Sequence, residues 1–138
     1  MNWFVWALLS AFFAGLTAIL AKIGVQNVNS NLATAIRTVV ILIFAWSVAL
    51  FTRHESISSI GKRTWFFLIL SGIATGLSWL CYFRALQIGE ASRVAPVDKL
   101  SVVVAIALAA LFLHEKLTWH HWVGGLLIFA GAVVLAYA

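Results

Sequence analysis

The chain has 138 residues, 64% of them hydrophobic and 9% charged, and its mean hydropathy is +1.06. A soluble domain carries about 25% charged residues and still leaves about a third of its unfolded-chain surface in water, which a chain this apolar does not tolerate. The composition therefore excludes a water-soluble fold and points to an integral membrane protein, with length for one domain (1–138). Nine Lys/Arg stand against four Asp/Glu, but the nine are scattered singly, so no basic arm points to nucleic acid. The single cysteine, Cys81, lies in an apolar run and gives no disulfide framework.

A spanning helix needs about 20 largely apolar residues, and five runs qualify: 3–24, 31–52, 65–88, 92–113 and 119–138. The first lacks a basic leader region and is too long for one, so it reads as a retained span. Ser10, Ala14 and Ala18 repeat along it at intervals of four, and Lys22 stands near its end. A polar break from Asn27 to Asn31 leads into the second run, where Arg37 lies six residues past Asn31. Arg53, Gly61, Lys62 and Arg63 separate the second run from the third. The third carries Gly72 and Gly76 in a close-packing spacing, then Thr75, Ser78, Trp79 and Tyr82, a mixed hydroxyl and aromatic face suited to lining a cavity. Gly89 ends it, and the fourth run opens with Ser92 as the expected N-cap, Pro96 in the first turns, then Asp98 and Lys99. A bend at Ala95–Pro96 would free a carbonyl just ahead of Asp98 and serve as a hinge; a plain N-terminal proline is the other reading. His114 to Lys116 closes the fourth run, and the fifth, with Gly124, Gly125 and Gly131 and no charge, reads as a packing helix. None of the runs alternates every second residue, which excludes a β-barrel. The predicted fold is all-α, a polytopic membrane protein of five transmembrane helices per protomer.

Five spans put the termini on opposite sides. Side A, with the N-terminus, receives Arg53, Lys62, Arg63 and Lys116; side B receives Lys22, Arg37, Arg84, Arg93 and Lys99. Orientation follows the imbalance of Lys and Arg between sides, and here there is almost none. Removing Lys22, Arg37 and Lys99 as intramembrane residues tips the balance weakly toward a cytoplasmic side A. One orientation, or insertion both ways with antiparallel pairing, are the two topologies left open.

Ionisable groups in hydrocarbon cost several kcal/mol and are functional candidates by default. Arg37 and Asp98 each lie six residues past the side-B end of their run, about 9 Å deep at 1.5 Å per residue, so their depths permit pairing. One reading is a buried salt bridge between the second and fourth spans, with Lys22 and Lys99 snorkelling to headgroups. The other is a substrate site for a carboxylate or phosphate, in which Arg37 supplies a bidentate fork and Lys22 or Lys99 a point charge, with Trp79 and Tyr82 as lining. Asp98, the acidic residue well inside a span, is then the first candidate for proton coupling and Glu115 the second. His114, His120 and His121 lie at the interface without a completing ligand set, so no metal or other cofactor is expected. Neither a nucleophile with its base nor a phosphate-cradling glycine loop is present in the spans, so an enzyme is not expected.

The segment from Arg84 through Gly89-Glu90-Ala91-Ser92-Arg93 and Pro96-Val97-Asp98-Lys99 to His114-Glu115-Lys116-Leu117-Thr118 resembles the EamA domain of the drug/metabolite transporter superfamily. The close of the chain, Trp122-Val-Gly-Gly-Leu-Leu-Ile-Phe-Ala-Gly-Ala, is similar to that domain's last helix, and Ala21-Lys22-Ile23-Gly24 with Ala35-Ile36-Arg37 resembles its half-length, five-helix bacterial and archaeal branch. The resemblance implies a carrier of small metabolites, and a half-length chain that forms a homodimer with inverted-repeat-like architecture, the fifth span being the protomer contact. The small multidrug resistance branch relies on an acidic residue in its first helix, and 3–24 has none, which weighs against cationic drugs. The expectation is a secondary transporter in the cytoplasmic membrane of a prokaryote, a homodimer, parallel or antiparallel, moving a small polar or anionic metabolite by alternating access. The alternatives are a non-transporting subunit docked on a larger partner, a multidrug exporter of the same superfamily, and a passive pore.

Overall fold

The computed structural model describes residues 2–52 and 57–138; Arg53, counted above toward side A, lies outside them. The helices are α1 (Trp3–Val25), α2 (Ser30–Thr52), α3 (Lys62–Ile88), α4 (Ala91–Asp98), α5 (Ser101–Phe112) and α6 (Trp119–Ala136), with a short 3-10 turn at Ile57–Ser59 and no strand among the described residues. Five segments are long and apolar enough to cross a bilayer, the fourth being α4 and α5 together, Ala91–Phe112. The protein is an all-α, multi-pass membrane protein, as its composition requires.

Inside a membrane every backbone polar group needs a partner in the protein, which is why long apolar runs become helices. The hydroxyls follow the same rule. Thr34 donates to the Ser30 carbonyl at 2.8 Å, Thr38 to Thr34 at 2.7 Å and Thr75 to Ser71 at 2.8 Å, so polar residues cross the apolar layer satisfied by their own helix. The helix ends are equally local. Asn29 Oδ1 accepts the N–H groups of Asn31 and Leu32 (2.9 and 3.3 Å) and starts α2. Thr118 and His121 form a reciprocal capping box that starts α6, with the Thr118 N–H donating to His121 Nδ1 at 3.1 Å. His114, with φ of 53°, takes the left-handed turn that ends the fourth span. Two of the three interfacial histidines thus have structural duties.

The fourth span departs from expectation at two places. Ser92 is not its N-cap. Glu90 adopts the extended backbone of that position, and its carbonyl accepts the N–H groups of Arg93 and Val94 (3.0 and 2.9 Å), so the helix begins one residue before Ser92. The span is also broken after Asp98, where Lys99 and Leu100 form a turn. Pro96 brings no N–H to the Ser92 carbonyl, and the α ladder gives way downstream to the tighter i→i−3 bonds, Lys99 to Pro96 at 3.1 Å and Leu100 to Val97 at 3.0 Å.

Contacts divide the chain into two compact units. In the first, formed by the described residues up to Ile23 with Ile88–Ala138, α6 packs mainly against α4 and less against α5. Gly125 and Ala132, seven residues apart on one face of α6, are buried. Arg93, near the start of α4, pairs with Glu90 at 3.2 Å and donates to the Ala138 carbonyl at 2.7 Å. In the second unit, Gly24–Gln87, the buried side chains are Val25, Ser30, Thr34, Phe83 and Leu86. Gln87 ties that unit together: its Nε2 donates to the carbonyls of Val28 and Val25 (2.8 and 3.3 Å), while its Oε1 accepts from Arg84 at 2.7 Å.

Candidate functional site

Within the Gly24–Gln87 unit the site is built on α2 and α3. Trp79 and Phe83 lie four residues apart on α3, one turn above the other on the same face. Arg37 of α2 sets its guanidinium over both rings, 4.6 Å from the Trp79 centroid and 5.2 Å from that of Phe83. Phe83 is buried, Arg37, Trp79 and Tyr82 half-buried. Tyr82 meets Phe83 edge to face at 6.5 Å. Trp79 and, through Phe83, Tyr82 therefore lie in the neighbourhood of Arg37. Phe83 is not among the residues that stand out in the sequence; its signal is the interval of four from Trp79, which an ordinary packing aromatic shares.

This arrangement suits anion recognition. A cation over an aromatic face gains about 0.5–2 kcal/mol, well short of neutralisation. The guanidinium N–H donors radiate from its edge, in the fork geometry that fits carboxylate and phosphate. The helices of this unit contain no Asp or Glu, so among its described residues the Arg37 charge rests on aromatic faces rather than on a carboxylate.

The other singled-out charges lie in the first unit, or at its connections. Lys22 donates from its Nζ to the Gly89 carbonyl at 2.7 Å, in the link between α3 and α4. Asp98 pairs with Lys99 at 3.5 Å, their side chains 35% and 56% exposed. Glu115 is exposed beyond α5. Among the described residues there is no cluster of three or more potential metal ligands.

Five apolar spans and an all-helical fold define the class: a polytopic helical membrane protein. The sequence profile of the EamA-like transporter family matches residues 1–137, and the chain belongs to that family. It is 56% identical over 136 residues to the uncharacterized transporter in the cobO 3' region of a Sinorhizobium species, covering 98% of this chain and 96% of that one. It is 28% identical to the uncharacterized transporter YxxF of Bacillus subtilis, over 92% of this chain but 40% of YxxF. A shorter similarity, 32% over 68 residues, reaches the probable 4-amino-4-deoxy-L-arabinose-phosphoundecaprenol flippase subunit ArnE of Aeromonas salmonicida, covering 49% of this chain and 60% of ArnE. No solved structure matches the chain.

Proposed function

We propose that this protein is a secondary transporter of the cytoplasmic membrane of a prokaryote, moving a small polar or anionic metabolite by alternating access as a homodimer. The observation that carries this reading is the Arg37 guanidinium laid on Trp79 and Phe83 within a spanning segment. A substrate carboxylate or phosphate meets the edge of that group, with Trp79 and Tyr82 as the apolar walls. Lys22 and Lys99, counted along the sequence to the same side-B half of the membrane, give that level a positive balance over Asp98. Asp98 is the residue through which a proton gradient would couple, and Glu115 the second candidate.

The length of a longer relative supports the pairing of two protomers. This chain matches only two-fifths of YxxF, the proportion expected if YxxF holds two such units. A second reading, a small subunit working with a different chain, has the ArnE similarity in its favour, since that relative is described as a flippase subunit. Both readings give Arg37 the same role, and the phosphate in that relative's named substrate is an anion of the class the guanidinium fits.

A thermal-shift screen of anionic metabolites on the purified protein tests the site. A ligand that binds only the folded form stabilises by mass action, about 2.7 kcal/mol at a hundredfold excess over Kd. The expected result is a shift for wild type with at least one carboxylate or phosphate compound, and none for Arg37→Ala. Equal shifts in both proteins would remove Arg37 from the site.

A further inference from the structure

The two halves of the fourth span are held in different ways. α4 is anchored: it takes most of α6's packing, and Arg93 near its start binds the Ala138 carbonyl and Glu90. α5, beyond the break, is not packed to the same closeness. Between α5 and α6 lies an apolar cleft of about 320 Å³, bounded by Val103, Ile106 and Ala107 on one wall and by Trp122, Gly125 and Phe129 on the other. Gly125 is buried, yet a Cβ placed on it would meet no atom within 4 Å, so the space beside it is unfilled. Trp122, Leu126 and Phe129 are exposed along the cleft, so it opens on an apolar face that either a lipid chain or α5 itself fills.

The break between the halves is built to bend. Pro96 removes one bond of the α4 ladder; the Lys99 and Val104 N–H groups keep i→i−4 partners, Ala95 at 3.3 Å and Leu100 at 3.2 Å, while four bonds across the turn close over three residues: Lys99 to Pro96 at 3.1 Å, then Leu100 to Val97, Val102 to Lys99 and Val103 to Leu100 at 3.0 Å each. Sharp bends in helices occur where proline or a locally altered ladder interrupts the i→i−4 pattern, and a 3-10 stretch inside a helical run often marks a hinge.

We propose that the turn from Asp98 to Ser101 is a pivot on which α5 swings toward α6 and fills the cleft while α4 stays fixed. The cleft is then the room left for α5 itself. The Asp98–Lys99 ion pair sits on the pivot, so the swing alters that pair before any other charge. The proposal rests on the transport reading, in which the carrier changes the side to which its intramembrane charges are accessible.

The test uses the full chain with Cys81→Ser, Ala107→Cys and Gly125→Cys in liposomes, compared with the same protein carrying Pro96→Ala. A disulfide needs Cα atoms within about 7 Å, so cross-linking under copper phenanthroline reports closure of the cleft. Fast cross-linking, slowed about tenfold by Pro96→Ala because an N–H restored to the Ser92 carbonyl stiffens the end of α4 that borders the turn, is the expected result. Equal rates in the two proteins, or no cross-link in either because a lipid chain holds the cleft open, overturn the pivot. A Pro96→Ala protein that fails to accumulate is replaced by two cleft-filling variants, Gly125→Leu and Ile106→Trp, scored for counterflow and for ligand-induced thermal shift. Lost counterflow with retained ligand binding supports the pivot; counterflow at the wild-type rate overturns it and leaves the transport reading standing. If wild type shows no counterflow of any solute, the transport reading falls, and the cross-linking rates still decide the pivot.

Discussion

A guanidinium in the apolar layer costs several kcal/mol unless water, snorkelling or a partner relieves it, and Arg37 is relieved in part by two aromatic faces. Its charge type and its fork make different demands, and substitution separates them. Arg37→Lys keeps the charge but loses both the planar stack and the bidentate edge, so uptake should fall by about 10–100-fold, one to two bidentate-grade hydrogen bonds, while Arg37→Ala abolishes it. Initial rates in proteoliposomes check this, and equal activity in Arg and Lys forms would make Arg37 a mere point charge. Asp98→Asn should abolish proton-driven uptake, preserve expression and leave solute counterflow in place; an unchanged dependence of uptake on the pH gradient would remove Asp98 from coupling. Among single residues the sequence disclosed the charges, because an ion among apolar residues needs no structure to be conspicuous. It did not disclose Phe83, whose spacing is shared by every packing aromatic, nor the Lys22 bond to Gly89, which joins residues 67 apart in the chain.

For the helices, the spans were legible because bilayer thickness imposes a run length, and the observed spans agree with the predicted runs to within three residues at every end, the break inside the fourth being the difference. The signals that failed are those set by local backbone geometry. Ser92 has the right chemistry for an N-cap, but Glu90 has the extended backbone, and position outranks side-chain type. Pro96 announced a disturbance, and the break itself falls two residues later, at the end of α4. Gln87 shows how an element end is fixed without charge: the side chain holds the carbonyls of Val25 and Val28 in the turn between α1 and α2. Gln87→Ala should destabilise the fold by about 1–3 kcal/mol, the cost of leaving buried acceptors unpaired, measured as a lowered midpoint of thermal unfolding in detergent. Leu86→Ala, at a fully buried position, should cost about 2 kcal/mol, toward the low end for such truncations, because lipid already solvates leucine and the penalty that remains is the lost packing. A larger loss for Leu86→Ala than for the same change at exposed Leu77 checks that burial, and not apolarity, decides.

For the whole molecule, composition alone settled the class, since 9% charged residues are too few for a surface in water. Most large apolar side chains are exposed on the protomer, Phe51 at 92% and Phe44 at 71% among them, and in a bilayer hydrocarbon meets such faces as well as a partner does. Exposed area therefore carries no information on the proposed dimer, whose support is the length of YxxF. The division into two units left no mark in the sequence, because it depends on which spans touch and not on where each begins. The near balance of Lys and Arg between the two sides was visible at once, and it carries a prediction about topology. A C-terminal tag should be reached from both sides of the membrane if copies insert both ways and from one side if they do not. Reversal of orientation by one added lysine near Lys116 or Arg84 would show how weakly the charges hold it. Whether this chain alone carries an anionic solute across a membrane through Arg37 is decided by counterflow in liposomes holding only the purified protein. Saturable exchange of at least one small carboxylate or phosphate compound, lost in Arg37→Ala, is the expected result; absence of exchange for every such compound, or flux that does not saturate, would contradict it.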